Sequence, residues 1–191
     1  MLPDFVTFRL KELPKGLFDH ITRTRIFARE IANVHGVDES TADLAAACHD
    51  LARDLSPVDL LTEAERLSIP IDQVERNTPI LLHGPIAATW LQTDGEIKEP
   101  SVIEAVRWHT TGHANMDDVQ KVLFVADKAE PLKVSSNPSL AEVRDLAGVN
   151  LDWAILSFVD IQISNLSNEG QFIHPRTLEL RNHLMMTGNQ L

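Results

Sequence analysis

The sequence predicts an all-α protein. Three observations predict it: amphipathic segments recur with helical spacing along most of the chain, helix start and stop residues stand at their ends, and strand signals are weak. There is no tyrosine and no sustained alternation of apolar and polar residues. With 191 residues the chain is long enough to bury a sizeable core as one domain. The expected division is a single domain over 1–191, with a core at about 17–166 and a C-terminal helix at about 175–186.

The first clear pattern runs from about Leu17 to Val34. Ile21, Phe27 or Ala28, Ile31 and Val34 fall near helical spacing there, and Gly36 supplies the stop. Asp38 or Ser40 can cap the next helix, which takes in Ala42, Leu44, Ala45, Ala46, Ala47 and Leu51. That stretch is apolar almost all round, so it predicts a central, buried helix. Ser56-Pro57 combines an N-cap with proline at the first helical position and opens a helix to about Leu67. Pro70 and Pro79 bracket a short segment, and Gly84-Pro85 starts a helix running to Leu91. Glu96 to Trp108 and Met116 to Ala129 give two more, split by the Thr110-Thr111-Gly112 turn. Pro131 and Pro138 frame a loop, and Leu151 to Leu166 and Pro175 to Met185 read as the last two helices.

Lys and Arg total 17 against 28 Asp and Glu, a formal charge of −11. Such a surface repels phosphate backbones, which argues against a DNA or RNA reader. A nucleotide could bind only where metal ions or a local basic cluster invert the field. Cys48 is the single cysteine, so no intrachain disulfide forms and a reducing compartment fits. The N-terminus lacks the apolar core of a secretory signal, because Asp4, Arg9, Lys11 and Glu12 interrupt it. No apolar run approaches the roughly 18 residues of a membrane span. The expected setting is cytoplasmic, without a membrane or nucleic-acid partner; a homodimer stays open.

The most informative short stretch is LAAACHDLARDL, residues 44–55, which sets His49 and Asp50 side by side near the end of an apolar helix. Burying both costs several kcal/mol unless they are paired or bound to metal. Alone, the doublet is most simply a helix-end cation beside a solvated carboxylate. It is not alone. His20 lies three residues before Arg23, on the same helix face, and His83, His109 and Asp127 each stand beside apolar residues. Imidazole and carboxylate suit iron, manganese, zinc or cobalt, and as an ordered set these six residues read as ligands.

The order His, His-Asp, His, His, Asp resembles the HD superfamily and its two-metal members. More narrowly, the chain is similar to the YqeK-type proteins, which resemble symmetrical diadenosine tetraphosphate hydrolases. The resemblance runs through the HD segment, LLHGPIAATWL (81–91), AVRWHTTGHANM (105–116) with KVLFVADKAEP (121–131), and FIHPRTLELRN (172–182). It implies an HD-domain helical bundle with a central dinuclear metal site. His20, His49, Asp50 and Asp127 would hold one ion, and His83 with His109 would complete a second site, Asp50 bridging. The implied cofactor is two divalent transition-metal ions, iron first, with manganese, cobalt or zinc as the others.

The implied activity is a metal-dependent phosphohydrolase that cuts a nucleotide phosphoanhydride, diadenosine tetraphosphate to two ADP. The alternatives are a mononucleotide nucleotidase or triphosphohydrolase, and a metal-containing nucleotide-binding module without turnover. Since metal ions activate the water, no protein nucleophile is needed, and Cys48 reads as core. An acidic protein must supply positive charge to phosphates locally. Asp50, Arg23 and Arg53 are the expected catalytic residues; Arg23, Arg53, His113 and Lys133 are the expected substrate contacts. Ala87, His113 and Lys128 depart from the family pattern, at positions usually glycine, basic, and aromatic or apolar. His35 reads as a helix C-cap cation, His174 as organising the last helix, and His183 as surface. Trp90, Trp108 and Trp153 are expected in the core.

Overall fold

The computed structural model describes residues 1–95 and 97–188, and every regular element among them is helical. Helix α1 (Asp4–Glu12) leads into α2 (Lys15–His35), which stops where Gly36 takes the left-handed conformation at φ 68°. Next comes α3 (Glu39–Cys48), whose N-cap Asp38 accepts from the Thr41 backbone N–H. Then α4 (Pro57–Arg66) begins behind Ser56, whose side chain accepts from Asp59 N–H, with proline in its first turn as expected.

A short α5 (Gln73–Asn77), closed by an Asp72–Glu75 capping box, and a 3₁₀ turn at Pro79–Leu82 fill the segment between the prolines. After them α6 (His83–Thr93) and α7 (Pro100–Trp108) form a packed pair. The α7 helix starts four residues later than Glu96, at a proline in its first turn. Glu96 itself lies outside the described residues. Helix α8 (Asp118–Ala129) follows, capped by Asp117.

The region framed by Pro131 and Pro138 is not a loop. Pro131 opens α9 (Pro131–Ser136), and Pro138 opens a 3₁₀ turn that leads into α10 (Ala141–Ala147). Proline lacks only an N–H that a first turn would leave unpaired, so both start structure here. Two long helices close the fold: α11 (Leu151–Asn168), capped by Asn150, and α12 (Pro175–Gly188).

What positions the site is α3. Ala45, Ala46, Ala47 and Cys48 are fully buried, and their small side chains let α2, α7 and α8 pack against one helix. The end of α3, where His49 and Asp50 stand, is therefore buried among these helices. Trp153 departs from expectation: it is 45% exposed on α11, whereas Trp90 and Trp108 are part-buried and donate to Glu63 and Glu104. His35 donates from Nε2 to the Ala147 carbonyl (2.7 Å), tying the end of α2 to α10.

Candidate metal centre

Three of the four clustered histidines end a helical segment. His49 is the C-cap of α3, His83 that of the 3₁₀ turn, and His109 that of α7. Carbonyls in a last turn lack their intrahelical partner. Each imidazole turns its Nδ1–H to the carbonyl three residues earlier: Ala46 (2.8 Å), Ile80, which also accepts the His83 backbone N–H, and Val106 (2.7 Å). A carbonyl can only accept, so the proton sits on Nδ1 and the Nε2 lone pair is left for a further partner. His20, inside α2, faces a carboxylate with each nitrogen: Glu130 Oε1 lies 3.3 Å from Nδ1 and Asp127 Oδ1 lies 3.0 Å from Nε2.

All four Nε2 atoms converge on two carboxylates. Asp50 divides its oxygens: Oδ1 lies 3.0 Å from His83 Nε2 and 3.6 Å from His109 Nε2, while Oδ2 lies 3.5 Å from His49 and 3.8 Å from His20. Asp127 Oδ1 is 3.0 Å from His20 and 3.6 Å from His49. The paired nitrogens are 3.3 Å apart for His20 and His49, and 2.9 Å for His83 and His109. Donors about 2.0–2.2 Å from a common ion stand roughly 3–3.5 Å from one another, so both halves fit a transition metal. The donor chemistry agrees, since two lone-pair nitrogens with nothing to share between them are otherwise left facing each other in the core.

Electrostatics follow the same arrangement. Burial works against the Asp50 and Asp127 anions, yet the histidines around Asp50, and Lys128 and Lys133 beside Asp127, hold both well below the usual carboxylate range. His109 is pushed down to about 3, by burial first and then by His83, His49 and Lys128, against the pull of Asp50. His49 goes the other way: burial opposes its charge, but Asp50 and Asp127 raise it. Cys48, fully buried behind the doublet, has its thiol pushed up by that burial and has no nucleophilic role.

The structure thus brings together all six residues read as ligands, and places the expected phosphate contacts unequally. Lys133 donates to Asp127 Oδ1 (2.8 Å) and to its carbonyl (2.6 Å). Arg23 grips Glu130 through Nε (2.9 Å) and Nη2 (3.1 Å). Both line a cleft of about 460 Å³ that also touches His20, Leu132 and Leu140. Arg53 is exposed on the turn after Asp50, joined to it only by a backbone N–H. His113 commits both ring nitrogens locally, donating to Gln120 at the start of α8 (2.6 Å) and accepting from Asn115 N–H. Ala87 is fully buried one turn after Gly84.

Three neighbours of the centre lie outside the expected ligands and substrate contacts. Glu130 is one. Thr110 is another, its hydroxyl 3.1 Å from His109 Nε2. The third role belongs to Lys128, which donates to Asp127 Oδ2 (2.5 Å) and to the His109 carbonyl (3.1 Å). Asp72, Glu75 and His174 form a second His-carboxylate group, but its imidazole is set differently. His174 Nδ1 accepts from Arg176 N–H, which puts the proton on Nε2, 3.2 Å from Asp72 Oδ2. That polarity turns an N–H, not a lone pair, toward the carboxylates at the start of α5 and leaves nothing for a metal.

Comparison with known proteins agrees with this geometry. The HD domain family model matches residues 17–132. The chain is 33% identical over 176 residues to a protein of Halalkalibacterium halodurans named "Bis(5'-nucleosyl)-tetraphosphatase, symmetrical", covering 91% of each. A Bacillus subtilis protein of the same name is 28% identical, with 92% of each chain covered. A crystal structure from Clostridium acetobutylicum, described as a predicted HD superfamily hydrolase involved in NAD metabolism, superposes with a TM-score of 0.90. It shares 26% identity and covers 96% of this chain and 97% of that one. The fold, the six clustered ligand-type residues and these matches lead to one conclusion: this chain belongs to the HD domain family, alongside the symmetrical bis(5'-nucleosyl)-tetraphosphatases it resembles.

Proposed function

We propose that this protein hydrolyses a nucleotide phosphoanhydride, cutting diadenosine tetraphosphate symmetrically to two ADP, with the whole of 1–191 acting as one domain. The observation that carries this reading is the way Asp50 faces one histidine pair with each oxygen. His20, His49, Asp127 and Asp50 Oδ2 would hold one divalent ion; His83, His109 and Asp50 Oδ1 would hold the second. Mixed imidazole and carboxylate donors favour iron, with manganese next. Bound there, such ions supply Lewis-acid polarisation of phosphoryl oxygens and a water made acidic enough to attack.

The protein's own residues do the rest. Asp50 fixes the separation of the two halves, and the Nδ1–carbonyl bonds of His49, His83 and His109 preorganise those three rings. Lys133 and Arg23, at the cleft against His20, are placed to receive phosphate oxygens, Lys133 as a point charge and Arg23 through the Nη1 edge that Glu130 leaves free. Leu132 and Leu140 give the same cleft an apolar wall that a base can cover. Arg53 and His113 would join only by swinging inward from their present positions.

The test is a timed assay of protein loaded with iron or manganese against diadenosine tetraphosphate, ATP, GTP and dGTP, with Asp50→Ala alongside. ADP as sole product from the dinucleotide, and an inactive variant, is the expected result. Consumption of the mononucleotides instead would keep the centre and change the substrate. Metal bound with no substrate consumed would sink the hydrolase reading in favour of a binding module.

A further inference from the structure

We infer that Glu130 is the positioning residue of His20, and that it couples metal binding at His20 to the helix that walls the substrate cleft. This rests on His20 being a metal ligand, as proposed above. His49, His83 and His109 carry their orientation with them, because each ends a helical segment and its Nδ1 reaches a carbonyl three residues back. His20 has no such recourse. It lies within α2, where the neighbouring carbonyls are already used in the helix. Its Nδ1 instead turns to a carboxylate 110 residues away in sequence.

Glu130 is built for that task. It is 1% exposed, and its oxygens accept from four donors: His20 Nδ1, Arg23 Nε, Arg23 Nη2 and the Leu132 backbone N–H. The bidentate guanidinium neutralises the buried charge and holds the carboxylate plane. Arg23 stands three residues after His20 on the same face, so α2 supplies both the ring and the clamp that fixes the ring's partner. The bond from Leu132 N–H, at 2.7 Å, makes Glu130 the N-cap of α9. That helix carries Lys133 and Leu132 into the cleft. One carboxylate therefore holds the Nδ1 side of a ligand ring and the start of the cleft wall. Outer-shell carboxylates of this kind typically contribute about 10–100-fold to metal affinity.

The experiment compares wild type, Glu130→Gln and Arg23→Gln. In the metal-free proteins, nitrogen-15 imidazole NMR reads the His20 tautomer; Mn(II) titration reads the affinity of each half of the centre; thermal unfolding checks the fold. In wild type the His20 proton sits on Nδ1 and two Mn(II) ions bind. In folded Glu130→Gln one Mn(II) site weakens by about 10–100-fold while the other keeps its affinity. Arg23→Gln keeps the carboxylate but frees it to move, and weakens the same site by a smaller factor; it decides the matter should Glu130→Gln fail to fold.

A wild-type His20 protonated on Nε2, an unchanged isotherm in the variants, or equal weakening of both sites would overturn the inference. A merely structural Glu130 would lower the unfolding temperature and leave the isotherm of the folded protein alone. Wild type that shows the expected tautomer and isotherm but cleaves no dinucleotide would remove the proposed function and leave Glu130 in its role.

Discussion

Adding one methyl group at Gly84 tests whether the two halves of the centre depend on the close approach of α6 and α7. A Cβ there would lie 2.9 Å from the carbonyl oxygens of both Val106 and Arg107, and 3.3 Å from His109 Cε1. Ordinary contacts of this type begin at 3.4 Å, and backbone carbonyls at the end of α7 cannot rotate away. Gly84→Ala therefore displaces α6 by about 0.5 Å, which is the full positional tolerance of a preorganised site. His83 moves with it, while His109, whose Nε2 is 2.9 Å from that of His83, stays on α7.

Overpacking costs about 1–3 kcal/mol, offset by up to about 1 kcal/mol because alanine is the better helix former. A net loss of about 1–2 kcal/mol lowers Tm by roughly 2–8 °C for a chain of this size. The effect on the site exceeds the effect on the fold. Mn(II) should bind the His83–His109 half about tenfold more weakly, with turnover falling at least as much, because displacements of this order at reacting centres cost tens of fold. The His20–His49 half should keep its affinity. A Gly84→Ala protein with wild-type turnover and two unchanged Mn(II) sites would refute the argument that helix spacing sets ligand spacing.

Two further outcomes follow from charge. Lys128 presents an ammonium to Asp127 Oδ2 at 2.5 Å and so competes with a metal ion for that carboxylate; Lys128→Met should tighten Mn(II) binding by about tenfold or more, and weaker binding would refute this. His109, lowered to about 3 by burial and by neighbouring cations, destabilises the metal-free protein whenever it must be protonated in the unfolded chain and not in the folded one. The sign is fixed by that depression: the contribution is intact above the ordinary 6.5 and lost as pH falls toward 3. Between pH 6.5 and 5 the loss is about 2 kcal/mol, at 1.36 kcal/mol per unit. Urea unfolding of metal-free His109→Gln should lack that part of the slope, and identical slopes in the two proteins would refute the assignment.

Much of the centre was legible because its ligands obey local rules. His49, His83 and His109 each close a helical segment, and the apolar helix followed by a polar doublet at residues 44–55 marks the end of α3 in the sequence itself. The helices around them announce themselves by period and by caps at Asp38, Ser56 and Gly36. Proline is where sequence and structure part: Pro131 and Pro138 predict a loop between them yet each begins a helical turn, because a proline that starts a short helix and one that breaks a loop look alike in sequence. Arg23 was legible as a cation on the His20 face, but the carboxylate it holds was not. Glu130 acts across 107 residues on Arg23 and 110 on His20, and no local period encodes a bond of that range.

The formal charge of −11 invites the question of how a polyphosphate enters at all. The ion pairs around the centre answer it. Asp50, Asp127 and Glu130 bring three negative charges; Lys128 and Lys133 face Asp127, and Arg23 faces Glu130. Counting only these carboxylates and their Lys and Arg partners, the three anions are matched by three cations before any metal arrives. Two divalent ions held by the six ligands would then add four positive charges in a buried site, where charge is poorly screened. A tetraphosphate carries roughly four negative charges near neutral pH, each phosphate's remaining acid group being strong. The acidic exterior and the anionic substrate are thus reconciled within a few ångströms, by cations that first neutralise the ligands and metals that then set the sign.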